Sequence, residues 1–232
     1  MSAQRVNIDW DGDRVAYAKQ EKYDYLCTLC SDNNVPFPPQ QVFIRSFKRE
    51  KVLEIWANTA DQTGYVLLKA YENCHLSGEL GPKRAQGDMQ VPEGFYYIND
   101  FNPISDYFLS LGINYPNRSD LIYSDAADPG GDIYIHGNCA SIGCIPITDE
   151  YIMEVYLLCY YASLNGQHNI PVHIFPFVMS YDNIRRIKRE YADEPALLQF
   201  WDNLFPGYRK FEVYHIPPDI QINDDGNYMW VY

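Results

Sequence analysis

The chain is short of positive charge. Lys and Arg number 18 against 31 Asp and Glu, a formal net charge of −13. Phosphate backbones are held by clustered Lys and Arg, so nucleic acid is excluded as an expected partner. The nearest approach to a basic run, Arg185-Arg186-Ile187-Lys188-Arg189, reads as the solvated face of a helix. Long apolar runs are also missing. None approaches the ~20 residues of a membrane span. The start, Met1 to Asn7, is polar and unlike a signal peptide, which leaves a cytoplasmic protein or one whose export signal has been removed. Cysteine is sparse: six residues are too few for a disulfide scaffold in a chain of 232. Cys27-Thr-Leu-Cys30 has redox or zinc-pair spacing, yet no second CxxC completes a tetrahedral site, so a structural role in a helix is expected. Internal repeats and low-complexity segments are absent.

What is present is an ordinary globular balance, 47% hydrophobic and 21% charged, sized for one large domain or one domain with a helical appendage. Aromatics reach 16%, with 21 Tyr, enough for a core and for a groove that handles extended peptide or sugar. Helical spacing of Val15, Ala18, Tyr25, Leu26 and Leu29 predicts a helix over 11–31, started by Asp11 to Asp13. Val35-Pro-Phe-Pro-Pro39 then separates a helical N-terminal arm, 1–40, from a main domain, 41–232. Strands are expected over 42–47 and 52–57, as a hairpin around 48–51, and over 65–71 and 94–98. Between the last two lies a loop of turn residues, Ser77 to Asp88, of a length that is commonly functional. Residues 102–131 read as irregular, and Asp132 to Ile135 as a short strand delivering His136. A helix over 149–164 is capped by Thr148 or Asp149 and ended by Asn165-Gly166. A strand over 172–177 and helices over 182–191 and 196–204 complete an α/β (α+β) reading with a mainly β main domain.

The chemistry concentrates in Ile135-His-Gly-Asn-Cys-Ala-Ser-Ile-Gly-Cys144. Cys144 lies between a strand and a helix start, where the turn frees backbone amides and a neighbouring imidazole can take its proton. Gly143 clears the attack path and, with Cys144, can aim N–H groups at an oxyanion, while Ser141 can hydrogen-bond within the turn. The eight-residue interval lets His136 fold back onto Cys144. From the residues alone three readings stand: nucleophilic catalysis, a metal held by His136, Cys139 and Cys144 with no evident fourth ligand, or mere packing. Cys159 and His173 read as core, His168 and His215 as loop or surface positions. His75 precedes the turn-rich loop.

The pattern Ile135-His-Gly…Ser141-Ile-Gly-Cys144 resembles the signature of the L,D-transpeptidase (YkuD-type) catalytic domain, and within it a YafK-like murein branch with a short spacer. Tyr71 to Lys83, Gly87-Asp88, Pro92-Glu-Gly-Phe-Tyr96 and Pro171 to Phe177 extend the resemblance in order, over roughly residues 41–215. It implies an L,D-transpeptidase-like fold with a long helix after the nucleophile. Cys144 is then the nucleophile and His136 its base. Gly137's carbonyl orients the second ring nitrogen, and Gly143 and Cys144 form the oxyanion hole. The implied substrate is a peptidoglycan stem peptide attacked at its third-residue carbonyl. The thioester passes to an amine of peptidoglycan or a cell-wall protein, or to water, as in a peptidoglycan amidase. A non-catalytic peptidoglycan-binding module is the reading from another class. The chemistry needs no cofactor and no metal, and the substrate implies the cell envelope or periplasm. Two positions depart from the broad pattern: Ile142 replaces a common histidine and Pro146 a common arginine. Lys83 or Arg84 is expected to replace the arginine, and Ser77, Gly78, Tyr96 and Asn138 complete the substrate-binding set.

Overall fold

The computed structural model describes residues 12–124 and 127–230. The polar start, Asp11 and part of the irregular 102–131 stretch therefore lie outside the described residues. Strands β1 (Val42–Phe47), β2 (Val52–Asn58), β3 (Tyr65–Glu72), β4 (Gly94–Asn102), β5 (Ser110–Ile113), β6 (Tyr134–His136), β7 (Ile145–Pro146) and β8 (Pro171–Phe175) form one sheet in the order β3-β2-β1-β8-β4-β5-β6-β7. Pairs β1–β8 and β6–β7 are parallel and the others antiparallel. Helices are α1 (Arg14–Asp32), α2 (Arg118–Tyr123), α3 (Thr148–Leu164), α4 (Tyr181–Glu190) and α5 (Pro195–Tyr214). A separate hairpin, β9 (Ile220–Ile222) with β10 (Tyr228–Trp230), follows α5.

Every residue of β1 is buried because helices cover both faces of the sheet there. Val42 and Ile44 join the core beneath α3, with Val155 and Leu158. The alternate residues face the other way: Phe43 meets Phe211 of α5 at 4.7 Å between ring centroids, and Phe47 packs with Tyr208. Arg45 on that face is sheathed by Phe211 and Trp56 and paired with Glu54 and Glu212. Period-two alternation between two apolar layers is what strands covered on both faces require.

The arm does not stand apart from the main domain. Ala18, Lys22, Leu26 and Cys30 recur every four residues, which puts them on one face of α1, and all are buried. Ala18, Leu26 and Cys30 belong to the same core as α3, and Lys22 pairs with Glu150 and Glu154 of that helix. Asp13 caps α1, accepting from the N–H groups of Val15 and Ala16.

Two elements emerge inside the stretch read as irregular. β5 pairs with β4 and β6, and α2 is closed by a capping box between Asn117 and Asp120. Helix α3 starts without the expected side-chain cap, since Asp149 turns instead to the N–H of Asn138. Helix α5 runs ten residues past Leu204, through Pro206.

Candidate active site

The site sits where β6 and β7 leave the sheet. His136 and Tyr134, two apart on β6, point to one face, and the return strand places Cys144 beside Tyr134. Together with Asn102, Tyr107 and Ile142 they line a cavity of about 410 Å³. The seven-residue spacer between His136 and Cys144 is knitted internally. Ser141 Oγ donates to the Cys144 carbonyl at 2.7 Å and lies 3.3 Å from Ser77 Oγ. Cys139 is disulfide-bonded to Cys74, so its sulfur is not available as the third ligand of a metal site.

His136 is buried, and its Nδ1 lies 2.5 Å from the Gly137 carbonyl oxygen. A carbonyl only accepts, so Nδ1 carries the proton and Nε2 presents a lone pair. Burial lowers the His136 pKa below its ordinary value, outweighing the Gly137 carbonyl and Asp149, which act the other way. Gly137 has to be glycine: a Cβ there would meet the Tyr107 carbonyl at 2.6 Å and crowd Asp149 and Ile152. The Tyr107 ring stacks on the imidazole at 4.4 Å.

The Cys144 thiol donates to the Asp132 carbonyl at 3.6 Å and accepts from the Tyr134 N–H at 3.4 Å. Burial raises its pKa; the Tyr134 N–H and Lys83 oppose this and Asp132 adds to it. The two shifts run in opposite senses, so burial favours the thiol form of Cys144 and the neutral imidazole of His136.

The segment matched by the L,D-transpeptidase catalytic-domain (YkuD) family model runs over residues 53–174, more than half of the chain, and contains this centre. The chain belongs to the L,D-transpeptidase family. It is 37% identical over 183 residues to YafK of Escherichia coli strain K12, whose own assignment as an L,D-transpeptidase is provisional. That match spans 78% of this chain and 70% of the relative; the protein of strain O157:H7 matches equally. Among solved structures, the helical cell shape determining protein Pgp2 of Campylobacter jejuni aligns with a TM-score of 0.47 and 16% identity, covering 87% of this chain and 80% of that one. Bd1075 of Bdellovibrio bacteriovorus aligns with a TM-score of 0.42 and 18% identity, over 75% and 61%.

The other expected site residues of this family member distribute unevenly. Gly143 adopts φ +130°, but its N–H donates to Ser141 Oγ at 3.2 Å instead of standing free for an oxyanion. Lys83 is buried and bound to Asp88 Oδ1 and the Ala85 carbonyl, so it acts on Cys144 through its charge and does not line the cavity. Arg84 turns to a different cavity beside Tyr123 and Phe200, held by Asp120. Tyr96 is a core residue whose hydroxyl donates to Asp120 and reaches the Glu93 carbonyl, so it offers no substrate contact. Ser77 supports Ser141, and Gly78 (φ +75°) makes a turn against Gln90. Asn138 (φ +58°) caps the Cys139 N–H and stays outside the cavity lining. Buried His173 is walled by Phe43 and Phe95.

Four contributors escaped the sequence reading: Tyr107, Asp132, Tyr134 and Asp149. The last three are close in sequence to the motif, but only the strand pairing shows that Tyr134 offers its N–H to sulfur. Tyr107 comes from a loop 29 residues before His136 and left no local signal.

Proposed function

We propose that this protein is a cysteine L,D-transpeptidase that acylates Cys144 with a peptidoglycan stem peptide through the carbonyl of its third residue. The observation that carries this reading is the fixed tautomer of His136, whose unprotonated Nε2 shares one cavity with the Cys144 thiol. In the first step Nε2 takes the thiol proton and sulfur attacks the carbonyl. The tetrahedral oxyanion draws on backbone N–H groups of the turn, among them Cys144 and, once released from Ser141 Oγ, Gly143. Collapse expels the amine of the fourth residue, protonated by the imidazolium. The thioester then passes to an incoming amine, whose proton returns to Nε2.

Water can resolve the same thioester, giving hydrolysis in place of transfer. Incubating the protein with muropeptides and an amine acceptor, then reading products by mass, separates the two. Acceptor adducts establish transfer; free tripeptide establishes hydrolysis. The substrate class puts the protein in the cell envelope. The Cys74–Cys139 disulfide, with both residues exposed, supports that placement because such bonds persist in oxidising compartments.

A further inference from the structure

Helix α1 reaches the catalytic centre through one intermediate turn, residues 105–108. Arg14, in its first turn, donates from Nη1 to the carbonyls of Ser105 and Phe108, the latter at 2.5 Å. Its guanidinium lies 5.9 Å from the Phe108 ring centroid, and Tyr17 meets the same ring edge-on. The two gripped carbonyls flank Tyr107. Tyr107 donates its own N–H to Ser105 Oγ at 3.1 Å, and its ring stacks on His136 at 4.4 Å with 28° between planes. The turn 105–108 is thus pinned between α1 on its outer side and the imidazole on its inner side. Lys22 meanwhile ties α1 to Glu150 and Glu154 of α3, the helix whose Asp149 holds the Asn138 N–H.

We propose that α1 is a strut for the catalytic base, with Arg14 and Tyr107 as positioning residues that hold the His136 imidazole in its productive orientation. This rests on the assignment of Cys144 and His136 as nucleophile and base. The physical need is specific. One hydrogen bond to Gly137 fixes Nδ1 but leaves the ring free to swing about that contact. A stacked aromatic ring removes the swing, and Arg14 keeps the stacked ring from leaving. Misplacing a catalytic group by about 1 Å costs as much as a hundredfold in rate, so a loosened base is visible kinetically.

The Tyr107 ring also covers one imidazole face from water. Without it, His136 regains hydration and its titration moves up toward the ordinary histidine range. The ionisable groups around the cavity and the base are Asp106 and Tyr107 on the loop, Asp132 and Tyr134 at β6, Cys144 on the turn and Asp149 on α3. None of these is altered in Arg14→Lys, which also keeps the positive charge of Arg14, so a shift in that variant reports orientation and cover.

The test uses the full chain in five variants: Tyr107→Ala, Tyr107→Phe, Arg14→Ala, Arg14→Lys and His136→Ala. Three quantities are measured: site-resolved alkylation of Cys144 by iodoacetamide across pH, the NMR titration of the His136 ring, and thermal unfolding. Tyr107→Ala and Arg14→Ala are expected to slow alkylation at neutral pH about tenfold and to raise the His136 midpoint by about half a unit. Tyr107→Phe keeps the stack and matches wild type. Tyr107 is 40% exposed, so its replacement leaves the fold intact. If Arg14→Ala unfolds, Arg14→Lys, which keeps the charge but loses the fork, gives the intermediate rate and midpoint. Folded Tyr107→Ala and Arg14 variants with wild-type rates and midpoints overturn the strut alone. Alkylation that is unchanged in His136→Ala overturns the assignment of the base beneath it.

Discussion

The Nδ1 atom of His136 lies 2.5 Å from the carbonyl oxygen of the very next residue, Gly137. A backbone carbonyl does here what a carboxylate does in many triads: it fixes the tautomer and the ring direction. It brings no formal charge, so the imidazole stays below its ordinary pKa and Cys144 stays a thiol at rest.

Gly137→Ala tests that arrangement. The added Cβ meets the Tyr107 carbonyl at 2.6 Å, a backbone atom that does not move cheaply. The variant is expected to lose about 1–3 kcal/mol of stability and most acyl transfer, read by denaturant unfolding and turnover. A fully stable, fully active variant would show that the close approach is not needed.

The pH dependence of reactivity has a defined sign. Because burial lowers the His136 pKa, Nε2 remains a base below pH 6.5. Cys144 alkylation should therefore keep its neutral-pH rate on acidification through 6.5 and fall only at lower pH. A second rise belongs above pH 9, where the buried thiol ionises without help. An acid limb centred above 6.5 contradicts the buried neutral base.

His173 gives the fold an acid sensitivity of its own. Burial, reinforced by Arg45, pushes its pKa down to about 3. Between that value and the unfolded value near 6.5 the unfolded chain binds the extra proton, so stability falls as pH falls, by up to about 1.4 kcal/mol per unit. His173→Phe, set among Phe43, Phe95 and Phe175, should reduce the loss of stability between pH 7 and pH 5. Identical pH profiles for the two proteins would refute this.

Breaking Cys74–Cys139 frees the spacer that carries the nucleophile. Its cysteines are 65 residues apart, and Cys74→Ser with Cys139→Ser is expected to cost about 2–4 kcal/mol. Cys144 should remain the reactive thiol in peptide mapping. Unfolding curves that coincide with and without reductant would show that the bridge contributes no stability.

Lys83→Met separates two roles for that lysine. If its charge assists the thiolate, the thiol titration of Cys144 moves up while substrate KM holds. A raised KM with an unmoved thiol titration would instead restore the substrate-binding role that its burial and Asp88 partner argue against.

Legibility from sequence followed local pattern. β1, β2 and β3 announce themselves by β-branched and aromatic runs between turn residues, and α3 by a long apolar face ended at Asn165. β5 is four residues set among breakers, and α2 is six residues after Pro116, so neither has the length to carry a period. The helix expected over 196–204 instead continues through Pro206 to Tyr214, with Gly207 packed against Trp230 and Phe95. The Cys144–His136 pair is legible because both members lie in one decapeptide. The supporting shell is not, because Tyr107 and Arg14 meet it only through tertiary contacts, and disulfide connectivity is not written in cysteine spacing. Lys83 and Arg84 turn away from the cavity for one reason: in an acidic chain, scarce basic residues are taken up by carboxylate partners, here the half-buried Asp88 and the buried Asp120.

The central claim is that Cys144 carries the acyl group, with His136 as its base. Intact-protein and peptide mass spectrometry after acid quench of a reaction with a stem tetrapeptide tests it most directly. The account predicts a tripeptide thioester on Cys144 in the wild type, formed at least about a hundredfold more slowly in His136→Ala and absent in Cys144→Ala. An adduct on another residue, or full turnover by Cys144→Ala, would contradict it.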